Sequence, residues 1–384
     1  MDNSLMRNTA RLSVLYFFIY CPLGALCPMI AQYLSSIGFS GTQVGIITSL
    51  GTATAFFSGL FWGNVYANTR KKRIVLAVLC LASAAIALIS TNVRGFILYA
   101  AVYCCMYFFQ SPFHGLCDSF VLDQQGSFPI IRAFGAVGYA TCVFVTGKIA
   151  NQHGMGIIFY IYAAAFAVAV LLLLREKEPP QYKEQGEKIR LTELLQNRTF
   201  VKLVICSFFV MGTNVANNTY FGYLYREGGG DIGGIGLAFL LMAGSEAPFM
   251  ILLPGLTKKF PSEKLILFAM IVAAARFAFY ALGPGCNLLL GTFFLQGIVN
   301  GILLVEMVKY VDYVAGPKYS SAAIALYYAV TNNLSVIVCS MIGGMVLDRT
   351  GAQGVYLFFA VYNAAAVILY VIMGLQKDPQ KRTI

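Results

Sequence analysis

Residues 175–199 read REKEPPQYKEQGEKIRLTELLQNRT, a run dense in charge that carries the pair Pro179–Pro180. That is the composition of a solvated linker. The chain around it has 384 residues, 59% hydrophobic and 11% charged, with a mean hydropathy of +0.73. An ordinary soluble domain carries roughly 25% charged residues. Apolar surface on this scale, with 30 Phe and 23 Tyr, needs lipid or itself as solvent. The composition therefore excludes a soluble enzyme, a disordered chain and a disulfide-stapled secreted domain. The linker bisects a polytopic membrane protein.

Working outward from the linker, a spanning helix needs about 20 mostly apolar residues. Runs of that length fall at about 12–33, 42–66, 74–91, 95–121, 130–150 and 155–174 before it, and at about 200–225, 233–256, 264–283, 287–312, 320–345 and 353–374 after it. The first run is too long for a signal-peptide core and has no cleavage site, so it is expected to be retained. Of 27 Lys and Arg, twenty fall on one side of this arrangement, and only Arg94, Lys148, Arg226 and Arg349 on the other. The positive side is cytoplasmic, which puts both termini and the linker there. The net charge of +11 is thus a topology signal and not a nucleic-acid surface. The first helix starts at 12 and 200, the basic loops lie at 70–73 and 258–264, and the next turns near 123 and 314. These landmarks repeat at an offset of about 190 and predict an all-α membrane fold. Twelve transmembrane helices form two pseudo-symmetric six-helix bundles, 1–174 and 200–384, joined by the cytoplasmic linker 175–199.

Nine of the ten Cys lie inside apolar runs, where a thiol acts as a small hydrophobe, and only Cys286 falls in an expected loop. No Cys/His cluster has metal spacing, so neither a metal nor a cofactor is expected. P-loop, GxSxG and HExxH patterns are absent, which argues against an enzyme or an ATP-driven pump and for a gradient as the energy source.

An ionisable group inside a spanning helix costs at least about 2.5–3.5 kcal/mol, and so marks a functional position by default. Glu246 lies twelve residues before Lys258, and Arg276 twelve after Lys264. At 1.5 Å per residue both sit roughly 18 Å deep, where the acid and base can neutralise each other, as a coupling pair or as a permanent structural one. His114 and Arg132 are each nine residues from Asp123, in the turn between the fourth and fifth spans, and also share a depth. The Arg132 guanidinium offers a bidentate fork to a hydroxyl pair or carboxylate; His114 is either a contact or hydrogen-bonded packing. Asp118, one turn after His114, is a partner for either. Tyr139, two turns beyond Arg132 on the same face, can stack on a sugar or base or simply pack. Asn214 and Asn217 are costly in lipid unless they face a cavity or a neighbouring helix. Glu306, Lys309 and Asp312, spaced three apart, read as structural or gating ion pairs, with Glu306–Lys309 closing locally. Trp62 reads as an interfacial anchor.

The segment FPIIRAFGAVGYATC, 128–142, resembles the fifth-helix signature of lactose permease and its relatives. These are the oligosaccharide, nucleoside and phenylpropionate proton symporters of the major facilitator superfamily, whose parallel six-helix repeats bind substrate near the midplane. The R-x-F-G-x-V-G pattern is the specific part. The stretches 17–47, TNVANNTYFGYL at 213–224, and 295–374 extend the similarity along the whole chain. By matching position, the resemblance implies that Arg132 is the sugar-binding arginine, Tyr139 stands for the stacking tryptophan, Arg276 is the ninth-helix arginine, and His114 takes the place of a glutamate. Gln296 and Val299 stand where the family has its proton-coupling His and Glu, and Asn214 and Asn217 where it has aspartates. A proton site must then lie elsewhere, and Glu246 resembles the eighth-helix glutamate of the phenylpropionate branch. The basic loop 63–73 has Ala67 where the superfamily usually has an aspartate.

The expected function is a proton-coupled importer of a saccharide or nucleoside, with an aromatic acid as a further candidate, working by alternating access as a monomer in the inner (cytoplasmic) membrane. In this scheme Arg132, His114, Tyr139, Asn214, Asn217 and Gln296 bind solute, Glu246 carries the proton, and Arg276 and Asp118 modulate it. Efflux of amphipathic compounds, and a non-transporting sensor or scaffold, are the alternatives. The partners expected are the solute, a proton and the bilayer, with no nucleic acid.

Overall fold

The computed structural model describes residues 3–122, 124, 127–178, 191–316 and 319–377, and these are entirely helix, turn and coil. Asp123, linker residues 179–190, Lys318 and the two ends of the chain, all used in assigning sides, lie outside the described residues.

Before the linker run α1 (Asn3–Leu26), a short α2 (Ile30–Ser36), α3 (Gly41–Asn68), α4 (Lys72–Ser90), α5 (Phe96–Leu122), α6 (Phe128–His153) and α7 (Ile157–Leu173). After it run α8 (Leu191–Gln196), α9 (Arg198–Glu227), α10 (Ile232–Thr257), α11 (Ser262–Ala281), α12 (Cys286–Thr292), α13 (Phe294–Ala315), α14 (Ser320–Tyr328), a π-helical segment Ala329–Leu334 and α15 (Ser335–Ile372). Among the described residues, ten helical stretches are long and apolar enough to cross a membrane. Ile157–Leu173 is apolar but shorter, and the last two expected spans fall in one stretch, Ala322–Ile372. Gly351 interrupts that stretch with φ 73°, a left-handed backbone that favours a residue without Cβ. Large apolar side chains such as Ile97 (82% exposed) and Leu282 (79%) point outward, as lipid-facing helices require.

Local chemistry sets several boundaries. Ser40 and Gln43 form a capping box that starts α3. The Asn197 side chain accepts from Thr199 and Phe200 N–H to start α9, while its amide donates to the Val314 carbonyl at the end of α13, 3.0 Å away.

The chain divides into two compact units, Met1–Gln185 with Asp231–Leu240, and Gly186–Gly230 with Leu241–Ile384. In the first, α1 lies directly on α6. A Cβ on Gly138 would meet Phe17 Cα at 2.8 Å, and one on Gly135 would meet the Tyr20 ring at 2.8 Å, so the glycines of the R-x-F-G-x-V-G pattern form the seam. In the second unit, α9 packs on α15, where the Ser335 hydroxyl donates to the Phe208 carbonyl. There too α10 meets α13 through Gly297, whose missing Cβ leaves room for the backbone of Glu246.

Candidate functional site

The α1–α6 seam brings two tyrosines of α1 to the polar residues of α5 and α6. Asp118 Oδ1 accepts from the Tyr16 hydroxyl at 2.5 Å and lies 3.4 Å from Arg132 Nη1. The guanidinium of Arg132 sits 4.6 Å from the centre of the Tyr20 ring, which also neighbours His114 and Tyr16, with ring centroids 4.9 and 5.7 Å apart. Arg132, Tyr20 and His114 therefore form one cluster, with the Tyr20 and His114 rings tilted by 56°. The buried His114 Nε2 has no hydrogen-bond partner among the described residues. The Arg132–Asp118 pair is 48% and 31% exposed, and a long, half-exposed ion pair holds its members by only about 0–1 kcal/mol. The arginine can thus be recruited by another acceptor at little cost. Of the alternatives for Asp118, the structure chooses Arg132, with Tyr16 as a second donor. The ring against Arg132 is Tyr20, while Tyr139 is half-buried on α6, its carbonyl facing Gly24 of α1.

In the second unit the neutral candidates are deeply buried. Gln296 donates to the Asn214 carbonyl (3.3 Å) and to Asn300 Oδ1 (3.2 Å), while Asn214 donates back to the Val210 carbonyl (2.9 Å). Asn217 Oδ1 accepts from the Tyr356 hydroxyl at 2.6 Å, and Asn363 donates to Thr213 Oγ1 at 2.7 Å. Arg276 is 3% exposed, lies 4.6 Å from the Phe277 ring centre and 5.5 Å from that of Tyr280, and no hydrogen bond reaches its Nε, Nη1 or Nη2. The neutralising contact expected with Glu246 is therefore not made; Glu246 is half-buried on α10 beside α13. Of the expected ion-pair series, Lys309 meets Glu306 at 2.8 Å, and Ser262 donates to the same carboxylate at 2.5 Å. Asp312 instead accepts from Ser320, because α14 begins beside it. Trp62 is in an aromatic group with Phe61, Phe108 and Phe109.

A third set was not visible in the sequence. Arg73, at the start of α4, lies 3.0 Å from Glu178 and donates to the Leu174 and Glu176 carbonyls, and Arg11 Nη2 lies 2.8 Å from Glu176. Burial pushes the Glu176 carboxyl above the usual carboxylate range, against the pull of the Arg11 guanidinium. These contacts latch the segment after α7 to α1 and α4. A separate cavity of about 300 Å³, lined by Thr199, Lys202 and residues 373–375 and 377, lies away from all the candidate residues.

Residues 9–358 match the model of the MFS_1 like family. The chain belongs to that family, a branch of the major facilitator superfamily, and is a multi-pass membrane transporter. It is 33% identical to a maltose permease of Geobacillus stearothermophilus over 94% of this chain and 93% of that one. It is 25% identical to a putative nucleoside transporter, YegT, of Escherichia coli (strain K12), over 97% and 95%. The crystal structure of the nucleoside transporter NupG superposes with a TM-score of 0.85 at 19% identity, covering 97% of this chain and 99% of that one, which shows the shared fold. The family's relatives are transporters and not enzymes.

The sequence reading missed Tyr16 and Tyr20. Their signal was present but faint: two tyrosines four apart, on the helix that faces Gly135 and Gly138. Asn363 and Tyr356 were missed because nothing in a last, apolar span distinguishes buried partners from packing.

Proposed function

We propose that this protein is a secondary active transporter that imports a small polar solute, a saccharide or a nucleoside, together with a proton, by alternating access in the cytoplasmic membrane. It has twelve spans in two bundles and both termini in the cytoplasm. The observation that carries the solute reading is the half-exposed Arg132 guanidinium, set against the Tyr20 ring beside His114. The guanidinium fork supplies hydrogen bonds to the paired hydroxyl groups of a sugar or a ribose, and His114, whose Nε2 has no partner among the described residues, lies beside it. The maltose permease and the nucleoside transporters among its relatives support the same two solute classes.

Solute binding and proton binding are assigned to different groups. Arg132 and His114 hold the solute. Asp118 shares Arg132 with it, so that a solute drawing the guanidinium away leaves Asp118 bonded to Tyr16 alone. Glu246 carries the transported proton, an assignment that rests on Glu246 itself and not on a pair with Arg276. Tyr139, Asn214, Asn217 and Gln296 shape the surroundings of the solute.

Counterflow in proteoliposomes, with labelled maltose, nucleosides and phenylpropionate in parallel, tests the solute class. Exchange of a saccharide or a nucleoside is the expected result. Exchange of phenylpropionate alone, or of none of them, would overturn the solute reading.

A further inference from the structure

Arg132, Arg276 and Lys309 are the cations that the sequence places inside the expected spans, and two of them meet a carboxylate: Arg132 meets Asp118, and Lys309 meets Glu306. Arg276 is the exception. It is 3% exposed, and its Nε, Nη1 and Nη2 find no hydrogen-bond acceptor among the described residues. A guanidinium cannot shed its proton to escape this, and an uncompensated buried charge costs several kcal/mol. The rings on which it lies, Phe277 and Tyr280, offset part of that cost, and the Tyr280 hydroxyl reaches it only weakly, while no carboxylate does among the described residues.

A second unsatisfied donor belongs to the same aromatic group. Tyr356, whose ring centroid is 5.4 Å from that of Tyr280 and 5.8 Å from that of Phe277, donates its hydroxyl to Asn217 Oδ1. This fixes the amide so that Nδ2 is turned away from the tyrosine, and Nδ2, fully buried, has no acceptor. Buried donors on two helices, α9 and α11, around one set of rings thus lack a common acceptor. The exposures of Arg276 and Asn217, 3% and 0%, leave no open face for a solute the size of a sugar.

We propose that the Arg276 guanidinium, with the Asn217 amide and the Phe277–Tyr280–Tyr356 rings, holds a small inorganic monovalent anion of the halide class as a resident counter-ion. The anion is bound in addition to the transported solute, next to residues that shape the solute's surroundings. The site makes the packing of α9, α11 and α15 depend on an anion that is small enough to enter a closed interior and carries one negative charge.

Thermal unfolding of the purified full-length protein in chloride, bromide or gluconate, at matched ionic strength and with matched cations, tests this. The wild type is expected to gain roughly 2–4 °C in chloride and bromide over gluconate, saturating with halide concentration. R276Q is expected to show no difference between the salts. Anomalous diffraction from bromide-soaked wild-type crystals supplies a readout that needs no variant, with a peak expected beside Arg276. Equal unfolding temperatures in all three salts, a halide gain that persists in R276Q, or bromide found only away from Arg276 would overturn the proposal.

Discussion

At the scale of single residues, Arg132 shows how a charge in an apolar helix can be kept available. Its partner Asp118 is held more closely by Tyr16, at 2.5 Å, than by Arg132 itself, at 3.4 Å. The guanidinium also rests on the Tyr20 ring. Replacing it with lysine keeps the charge but loses the planar fork. R132K is therefore expected to fold normally and to weaken solute binding roughly 10- to 100-fold, the loss of one charge-assisted hydrogen-bonded contact, as read by solute-dependent quenching of intrinsic fluorescence. Unchanged affinity would remove Arg132 from the solute site. Arg132 and His114 were legible in the sequence because ionisable groups are rare in apolar spans. Tyr20 was not, because one ring among 23 tyrosines carries no such contrast. The partner of Arg276 was misjudged for a related reason. Equal depth on neighbouring helices does not fix the direction in which a long side chain points, and this one turns onto Phe277 and Tyr280.

At the scale of elements, helix contacts are written in glycines more than in large residues. The α1–α6 seam needs Gly138 because a Cβ there would run into the backbone of Phe17. G138A is expected to destabilise the protein by about 1–3 kcal/mol, as overpacking does, and to lower its unfolding temperature. Gly59 on α3 has open space where its Cβ would stand, so G59A should change stability by no more than about 0.5 kcal/mol. Thermal unfolding of both variants checks the seam. The long apolar helices were legible from apolar run length, while Ala322–Ile372 is one stretch where two spans were expected, interrupted at Gly351. The π-helical segment Ala329–Leu334 was not: AVTNNL has no feature that separates an i→i+5 turn from an ordinary one. The latch at Arg11, Arg73, Glu176 and Glu178 was also hidden, since a charged linker reads as solvated whether or not its first residues fold back. Here the folded state holds the Glu176 proton more tightly than the unfolded chain does. The stability from this group is full below the ordinary glutamate value of about 4.3 and is lost as pH rises through the raised folded value. E176Q should abolish that decline, so wild type loses stability relative to E176Q as pH rises across this window. Parallel unfolding curves at each pH would contradict it.

At the scale of the whole molecule, composition decided more than any motif. A chain with 11% charged residues and apolar runs of span length has few folds open to it, and the offset near 190 is what led to the expectation of two parallel repeats. The superposition on NupG at 19% identity carries the same message, since the fold persists where most side chains have changed. What does not persist is the placement of charge. The resemblance to lactose permease implies that Gln296, Val299, Asn214 and Asn217 stand where that protein carries ionisable groups, and energy coupling through Glu246 is the claim on which the account as a whole depends. It is tested most directly by the pH of the medium outside proteoliposomes when the exchanging solute is added, with E246Q run beside the wild type. The account predicts alkalinisation outside the vesicles in the wild type and none in E246Q. Solute exchange without proton movement, with E246Q indistinguishable from wild type, would contradict it.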